Sequence, residues 1–258
     1  MLEISTLGNL SIRMGGEEIS TIGSRKAEGI LVYLAMEGGR HNRNSLSALF
    51  WPESPESKAQ VSLRVALSSL RKHVGEYLEI DRRSSRIRKG AKVYLDVFDF
   101  ETKLAKRQVE QALDVYHGDF LQGFFLEGTM AFEDWRLWEQ ERLRKELISA
   151  LQNAIMKENE VGNYQRSQAL AQELLKLDDL NEFAHHQMML ALALEGRRNA
   201  ALQQYKACEA ILDEALGVNP SQELQDLYEQ IIQEQITIQS KQVFSKHNLP
   251  KRKTSFIG

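Results

Sequence analysis

The sequence predicts an α+β front of short antiparallel strands, three helices and a C-terminal basic hairpin, followed by an all-α half of paired helices. Three observations predict it. Leu2, Ile4, Leu10 and Ile12 alternate with polar residues at the period of half-buried strands. From residue 98 to 240 the apolar period is helical, with short connections suited to antiparallel helix pairs. Charge divides at the same place: residues 1–96 hold 15 Lys/Arg against 11 Asp/Glu, whereas residues 97–240 hold 13 against 25.

In chain order, residues 2–22 read as short strands turning at Asn9 and at Gly15-Gly16. Ser24 is placed to cap a helix over 25–37, with Ala27, Ile30, Leu31, Leu34 and Ala35 on one face and Gly38-Gly39 as its stop. Asn42 or Asn44 caps a short second helix carrying Leu46, Leu49 and Phe50, closed by Trp51-Pro52. Ser57 and Gln60 fit a capping box for a third helix that stops at Gly75. Leu63, Leu67, Leu70 and Val74 form its inner face. Its outer face carries Val61, Val65, Ser68 and Lys72, flanked by Arg64, Ser69 and Arg71. Leu78–Ile80 and Arg86–Arg88 then read as a hairpin around Ser84-Ser85, and 93–97 as a last strand.

Beyond this point helices are expected near 99–115, 132–160, 163–177, 181–195, 198–216 and 221–239. Gly162 and Gly196 lie one tetratricopeptide period, 34 residues, apart. Ala201 and Tyr205 take the small and aromatic positions after Gly196; Ser167 and Ala171 match them less well. The expected organisation is a winged helix over 1–96, a tetratricopeptide-like helical domain over 97–240, and a basic linker over 241–258. The linker holds five basic residues and no acidic one.

Composition narrows the function. With 42% apolar and 27% charged residues the chain is globular. No run approaches the roughly 20 apolar residues of a membrane span, and Met1-Leu2-Glu3-Ile4 lacks the basic start of a signal peptide; a cytoplasmic location is expected. Cys208 sits at core spacing beside Tyr205 and Ile211, which suits a structural thiol. None of the six histidines is spaced i, i+4 from another, and His185-His186 fall on different helix faces, so no metal is expected. No Gly-rich phosphate loop is present, and no cofactor is expected. Glu133-Asp134 near Trp135 and Trp138 is read as helix-start acids favoured by the dipole, with Trp135, Trp138, Leu143 and Leu147 as a buried stripe. An enzyme is not expected.

The third helix and the hairpin point to duplex DNA. A helix fits the major groove, where each base pair shows its own donor and acceptor pattern. Arg64 can bond guanine, Ser68 several bases, and Val61 or Val65 a thymine methyl. Ser69, Arg71 and Lys72 are better placed for phosphates, which fix register. Arg82, Arg83, Arg86, Arg88 and Lys89 crowd the hairpin, charge that a wing needs against phosphates.

Several motifs carry a resemblance: Arg25-Lys26-Ala27, Leu49-Phe50-Trp51-Pro52, the run from Val61 to Lys72, Tyr94 to Glu101, Gly118-Asp119-Phe120-Leu121, Phe132-Glu133-Asp134-Trp135 and Glu141-Arg142-Leu143. Together they resemble the SARP-type antibiotic regulatory proteins, a response-regulator-like winged helix followed by a bacterial transcriptional activator domain. The resemblance implies binding to direct repeats in promoters, often as a homodimer, and recruitment of RNA polymerase. It places the polymerase-facing segment between the second and third helices, here Trp51, Glu53, Ser54 and Glu56. The family often has Arg where this chain has Ser69. The tail from Asn248 resembles the start of the ATPase domain of large members, which implies a piece of a larger regulator or a shortened relative. The rival readings are a helical-repeat interaction scaffold without DNA binding, and an enzyme with a site near Glu133 and Trp135.

Overall fold

β1 (Leu2–Ser5) pairs antiparallel with β2 (Ser11–Met14), Leu2 facing Met14 and Ser5 facing Ser11, and β2 pairs with β3 (Glu17–Glu18). The computed structural model describes residues 1–19 and 22–234. Next come α1 (Arg25–Glu37), β4 (His41–Asn42), α2 (Arg43–Phe50) and α3 (Glu56–Val74). A three-stranded sheet follows in the order β4, β6 (Ser84–Ile87), β5 (Leu78–Ile80). β7 (Val93–Leu95) then returns to lie parallel to β1. This is the expected winged helix, except that its closing strand is parallel and not antiparallel.

Local chemistry explains most of the boundaries. The Ser24 side chain accepts from the Ala27 N–H, and Asn42 caps α2 through the Asn44 N–H. α3 starts at Glu56 behind Pro55 with no side-chain cap, so the expected capping box does not form. Gln60 instead donates to Asn44 Oδ1 at 2.8 Å and Ser47 Oγ at 3.1 Å, joining α3 to α2. The hairpin also turns earlier than expected. Asp81 Oδ1 accepts from the N–H groups of Arg83 and Ser84, which makes 81–83 the turn and puts Ser84-Ser85 in β6, paired with β4. The expected strand over 93–97 ends at Leu95, because Asp96 starts α4 (Asp96–Ala105).

Packing divides the chain into two compact units, residues 1–154 and residue 155 onward. The first reaches well past residue 96. It adds α4, α5 (Val109–Leu113) and the first part of α6 (Met130–Glu160); α4 and α5 replace the single helix expected over 99–115. The reason is an aromatic core. Phe132 is fully buried, with ring centroids 5.0 Å from Phe50, 5.3 Å from Trp135 and 6.4 Å from Phe124. Tyr33 of α1 lies edge-on to Trp135 at 5.0 Å. Gly29 leaves room for this approach: a Cβ there would meet Leu126 at 2.9 Å and Phe50 at 3.1 Å. Trp138 is not in the stripe. The buried positions of α6 run Phe132, Glu139, Leu143, Leu147, Leu151, Ile155 and Glu158, and Trp138, one position off that row, is 62% exposed.

The second unit stacks α7 (Tyr164–Leu177), α8 (Glu182–Leu194), α9 (Arg198–Leu216) and α10 (Gln222–Ile232). Residues 235–239 of the last expected helix, and the linker 241–258, lie outside the described residues. The 34-residue period is real in the backbone. Gly162 (φ 80°) and Gly196 (φ 77°) close equivalent turns: Gly162 N–H bonds Asn159 O and Asn163 N–H bonds Glu158 O, while Gly196 N–H bonds Ala193 O and Arg197 N–H bonds Leu192 O. The αL glycine is what this helix stop requires. Ser167 and Ala171 are as buried as Ala201 and Tyr205, so the weaker-matching pair serves the same packing role.

Two predictions follow from these cores. Phe132→Ala should cost about 3–5 kcal/mol, and tryptophan fluorescence should show the winged helix melting together with α4–α6. His185 is buried; its Nε2 lies 3.0 Å from Asp179 O and its Nδ1 2.7 Å from Gln204 Nε2, an arrangement that suits the neutral ring. Burial lowers its pKa below the ordinary 6.5. Its contribution is therefore complete above that value and lost as pH falls through the lower folded-state pKa. Melting scans of the chain should show the second unit weakening in that range, with a flatter pH dependence in His185→Gln.

Candidate nucleic-acid interface

α3 divides its surface sharply. Ala59, Leu63, Ala66, Leu67, Leu70 and Val74 are buried, and the opposite side is open: Val61 is 54% and Val65 65% exposed, with Arg64, Ser68, Arg71 and Lys72 exposed beside them. Two exposed valines between cationic and hydroxyl side chains form a surface that no intramolecular packing explains. Among the described residues, the side chains of Arg64, Lys72, Arg82 and Arg83 bond no other residue.

Ser69 differs from its expected phosphate role. It is half-buried, and its hydroxyl donates to Ile22 O at 2.8 Å, tying α3 to the segment before α1. Gly23 (φ 96°) makes the approach possible, since a Cβ there would lie 2.2 Å from Ser69 Oγ.

The basic hairpin is less open than its composition suggests. Arg86 is half-buried and bonds Glu79 Oε2 through Nε at 2.8 Å and Nη2 at 2.6 Å. Arg88 is exposed, but donates to Glu76 O at 2.8 Å and Leu78 O at 3.0 Å. Arg71 donates to Ile80 O at 3.0 Å, joining α3 to the wing. Arg82 and Arg83 remain fully outward at the turn. Sequence reasoning missed Arg40, whose guanidinium spans Glu79 at 2.6 Å and Asp81 at 2.7 Å. The turn N–H groups of Arg83 and Ser84 hold the Asp81 carboxyl at about 2, and the bond from Arg86 lowers Glu79. The only available signal was spacing: Glu79 and Arg86 flank a short turn, as a cross-strand pair does.

The loop between α2 and α3 has its own support. Lys26 donates to Phe50 O at 2.8 Å and lies 5.3 Å from the Trp51 ring centroid. Burial lowers its pKa. Trp51 and Ser54 are half-buried, whereas Glu53 and Glu56 are exposed. Arg25 donates to Gly123 O at 3.1 Å and stacks 4.9 Å from the Phe124 ring.

Glu133 is held by structural partners. Its carboxylate accepts from the Leu126 N–H and pairs with Arg136 at 2.9 Å, and Trp135 Nε1 donates to Glu37 at 2.6 Å. Burial pushes the Cys208 thiol up to about 12, far from a reactive thiolate. Among the described residues no His, Cys, Asp or Glu group is placed to hold a metal ion, and no helix is long and apolar enough to cross a membrane.

The family model "Bacterial transcriptional activator domain" matches residues 98–232. The regulatory protein AfsR of Streptomyces griseus is 25% identical over 247 residues, 90% of this chain, and that of Streptomyces coelicolor is 25% identical over 248 residues. The chain spans 24% of the length of either relative. Mycobacterium tuberculosis EmbR, solved in complex with a low-affinity phosphopeptide, shares the fold: TM-score 0.65 at 22% identity, covering 90% of this chain and 65% of that one.

Gly23→Ala should force Ser69 away from Ile22 O. The expected result is a loss of about 1–3 kcal/mol from crowding and backbone strain. Ser69→Ala, which keeps the space, should cost only about 1 kcal/mol; paired denaturant melts distinguish the two.

Proposed function

The chain belongs to the bacterial transcriptional activator domain family, and on that premise we propose that it is a sequence-specific DNA-binding activator of the SARP type and not an enzyme. The observation that carries this reading is the open face of α3. Val61, Arg64, Val65 and Ser68 supply the methyl, guanidinium and hydroxyl groups that read base edges, on a helix whose other face is fixed in a core. Arg71 and Lys72 at the end of α3, with Arg82 and Arg83 at the wing turn, supply phosphate contacts that set register. Arg88 adds to them from a side chain already anchored to carbonyls. Ser69 holds the helix in place and is not assigned a phosphate.

The partners are double-stranded promoter DNA, a second copy of the chain on direct repeats, and RNA polymerase. Trp51, Glu53, Ser54 and Glu56 form the polymerase-facing loop in this reading, and Lys26 sets its start by anchoring Phe50 O and Trp51. The tetratricopeptide-like helices hold dimer geometry and pass on a signal. The protein works in the bacterial cytoplasm, on the nucleoid when bound. The division into a reading domain over 1–96 and an activator domain over 97–240 is functional here; the packing units run 1–154 and onward.

The test is selection of bound sites from a random duplex pool, followed by titration of the selected site. Arg64→Ala should weaken specific binding by about 1–3 kcal/mol and relax one base preference, leaving affinity for random duplex nearly unchanged. Unchanged preference in that variant removes α3 from base reading.

A further inference from the structure

On the DNA-binding reading above, we propose that Glu79 masks Arg40 and Arg86 and so sets how many positive charges the wing presents to a polyanion. One face of the three-stranded sheet carries the arrangement. Glu79 and Arg86 are opposed on β5 and β6, and Arg40 stands just before β4 on the other side of β6. One carboxylate oxygen takes Arg40 Nη2 at 2.6 Å, and the other takes Arg86 Nε and Nη2 at 2.8 and 2.6 Å. Arg40 is also engaged by Asp81 at 2.7 Å.

A single acid therefore engages two guanidinium groups, and it is the only carboxylate within bonding reach of Arg86 among the described residues, whereas Arg40 is shared with Asp81. The masked residues lie where a phosphate would arrive. Arg40, Arg82, Arg83 and Asp81 line one open concavity of about 620 Å³ beside the turn, and Arg86 stands on β6 opposite Glu79. Side chains of Arg40 and Glu79 are 47% and 35% exposed, so solvent and salt reach the pairs and keep them exchangeable. Arg82 and Arg83 act as the standing contacts. The masked arginines keep the wing from gripping every duplex with the full charge of its sequence, which favours discrimination over tightness.

Counterion release gives a direct readout, because each phosphate contact adds about 0.9 to the slope of log affinity against log salt. The experiment titrates the full chain with random-sequence duplex over roughly 50 to 200 mM salt. Glu79→Gln should steepen the slope by about 0.9 and tighten binding up to roughly eightfold near 0.1 M salt. The double variant E79Q/R86Q should return to the parent slope. Glu17→Gln, the same charge change on exposed β3, should leave the slope unchanged. Arg83→Gln should flatten the slope by about 0.9, and Arg86→Gln by well under half of that.

A purely structural role for Glu79 gives the opposite sign, weaker binding in Glu79→Gln, and overturns the proposal. An unchanged Glu79→Gln, an equal gain in Glu17→Gln, or equal losses in Arg83→Gln and Arg86→Gln overturn it too. If Glu79→Gln fails a melting check, the Arg83 and Arg86 pair decides alone. A parent chain without salt-dependent affinity sinks the DNA-binding reading itself, an outcome distinct from all of these.

Discussion

The buried carboxylate of Asp96 is the interaction on which the N-terminal unit depends. It accepts from Thr6 N–H at 2.6 Å, Leu7 N–H at 2.8 Å, Thr6 Oγ at 2.8 Å and its neighbour Val97 N–H at 2.9 Å. Burial raises its pKa, and these donors pull it down. One side chain thus satisfies the backbone where β1 ends and the first turn of α4. That fixes the parallel pairing of β1 with β7, which no hairpin could hold in register. The next residues of the same segment pair with 119–122: Gly8 N–H bonds Asp119 O, and Leu121 N–H bonds Thr6 O at 2.7 Å. An acid buried so completely is costly unless its oxygens are satisfied, which explains why four donors converge on it.

From this junction the rest of the unit follows. With α4 and the 118–122 segment fixed against β1, Phe120, Phe124 and Phe132 meet Phe50 and Trp135 in one aromatic core. That core supports α1 and α2; α2 carries α3 through the Gln60 bonds, and the segment before α1 carries it through the Ser69 bond. The surface proposed to read DNA is therefore positioned by residues far along the chain. The helical turns of the second unit are built separately, from repeated αL glycines.

Features governed by nearby residues were legible in the sequence. Ser24 and the bounds of α1, the span of α9 and the 34-residue period all rest on contacts a few residues apart, whereas Gly75 is right-handed and carries the chain on into a short 3-10 turn. Features governed by distant partners were not. Gln60 looked like a cap and bonds α2 instead. Ser84-Ser85 looked like a turn and is a strand, because Asp81 satisfies the turn before it and β4 pairs with it. Asp96 looked like part of a strand over 93–97, because its bonding partner Thr6 lies 90 residues away. The candidate interface was legible as a helix face, but a count of arginines could not reveal that Arg86 is already occupied. The expected Trp138 burial failed for a smaller reason, a one-position slip along a long helix.

The aromatic core bears on how such proteins can be cut and joined. The break in composition near residue 96 invites a splice there, but it would leave Phe50, Tyr33 and the inner side of α1 facing water. A chimaera that borrows this winged helix keeps its fold only if the graft carries everything as far as the middle of α6. Evolution faces the same restriction: the piece that can be exchanged between such proteins is larger than the winged helix alone.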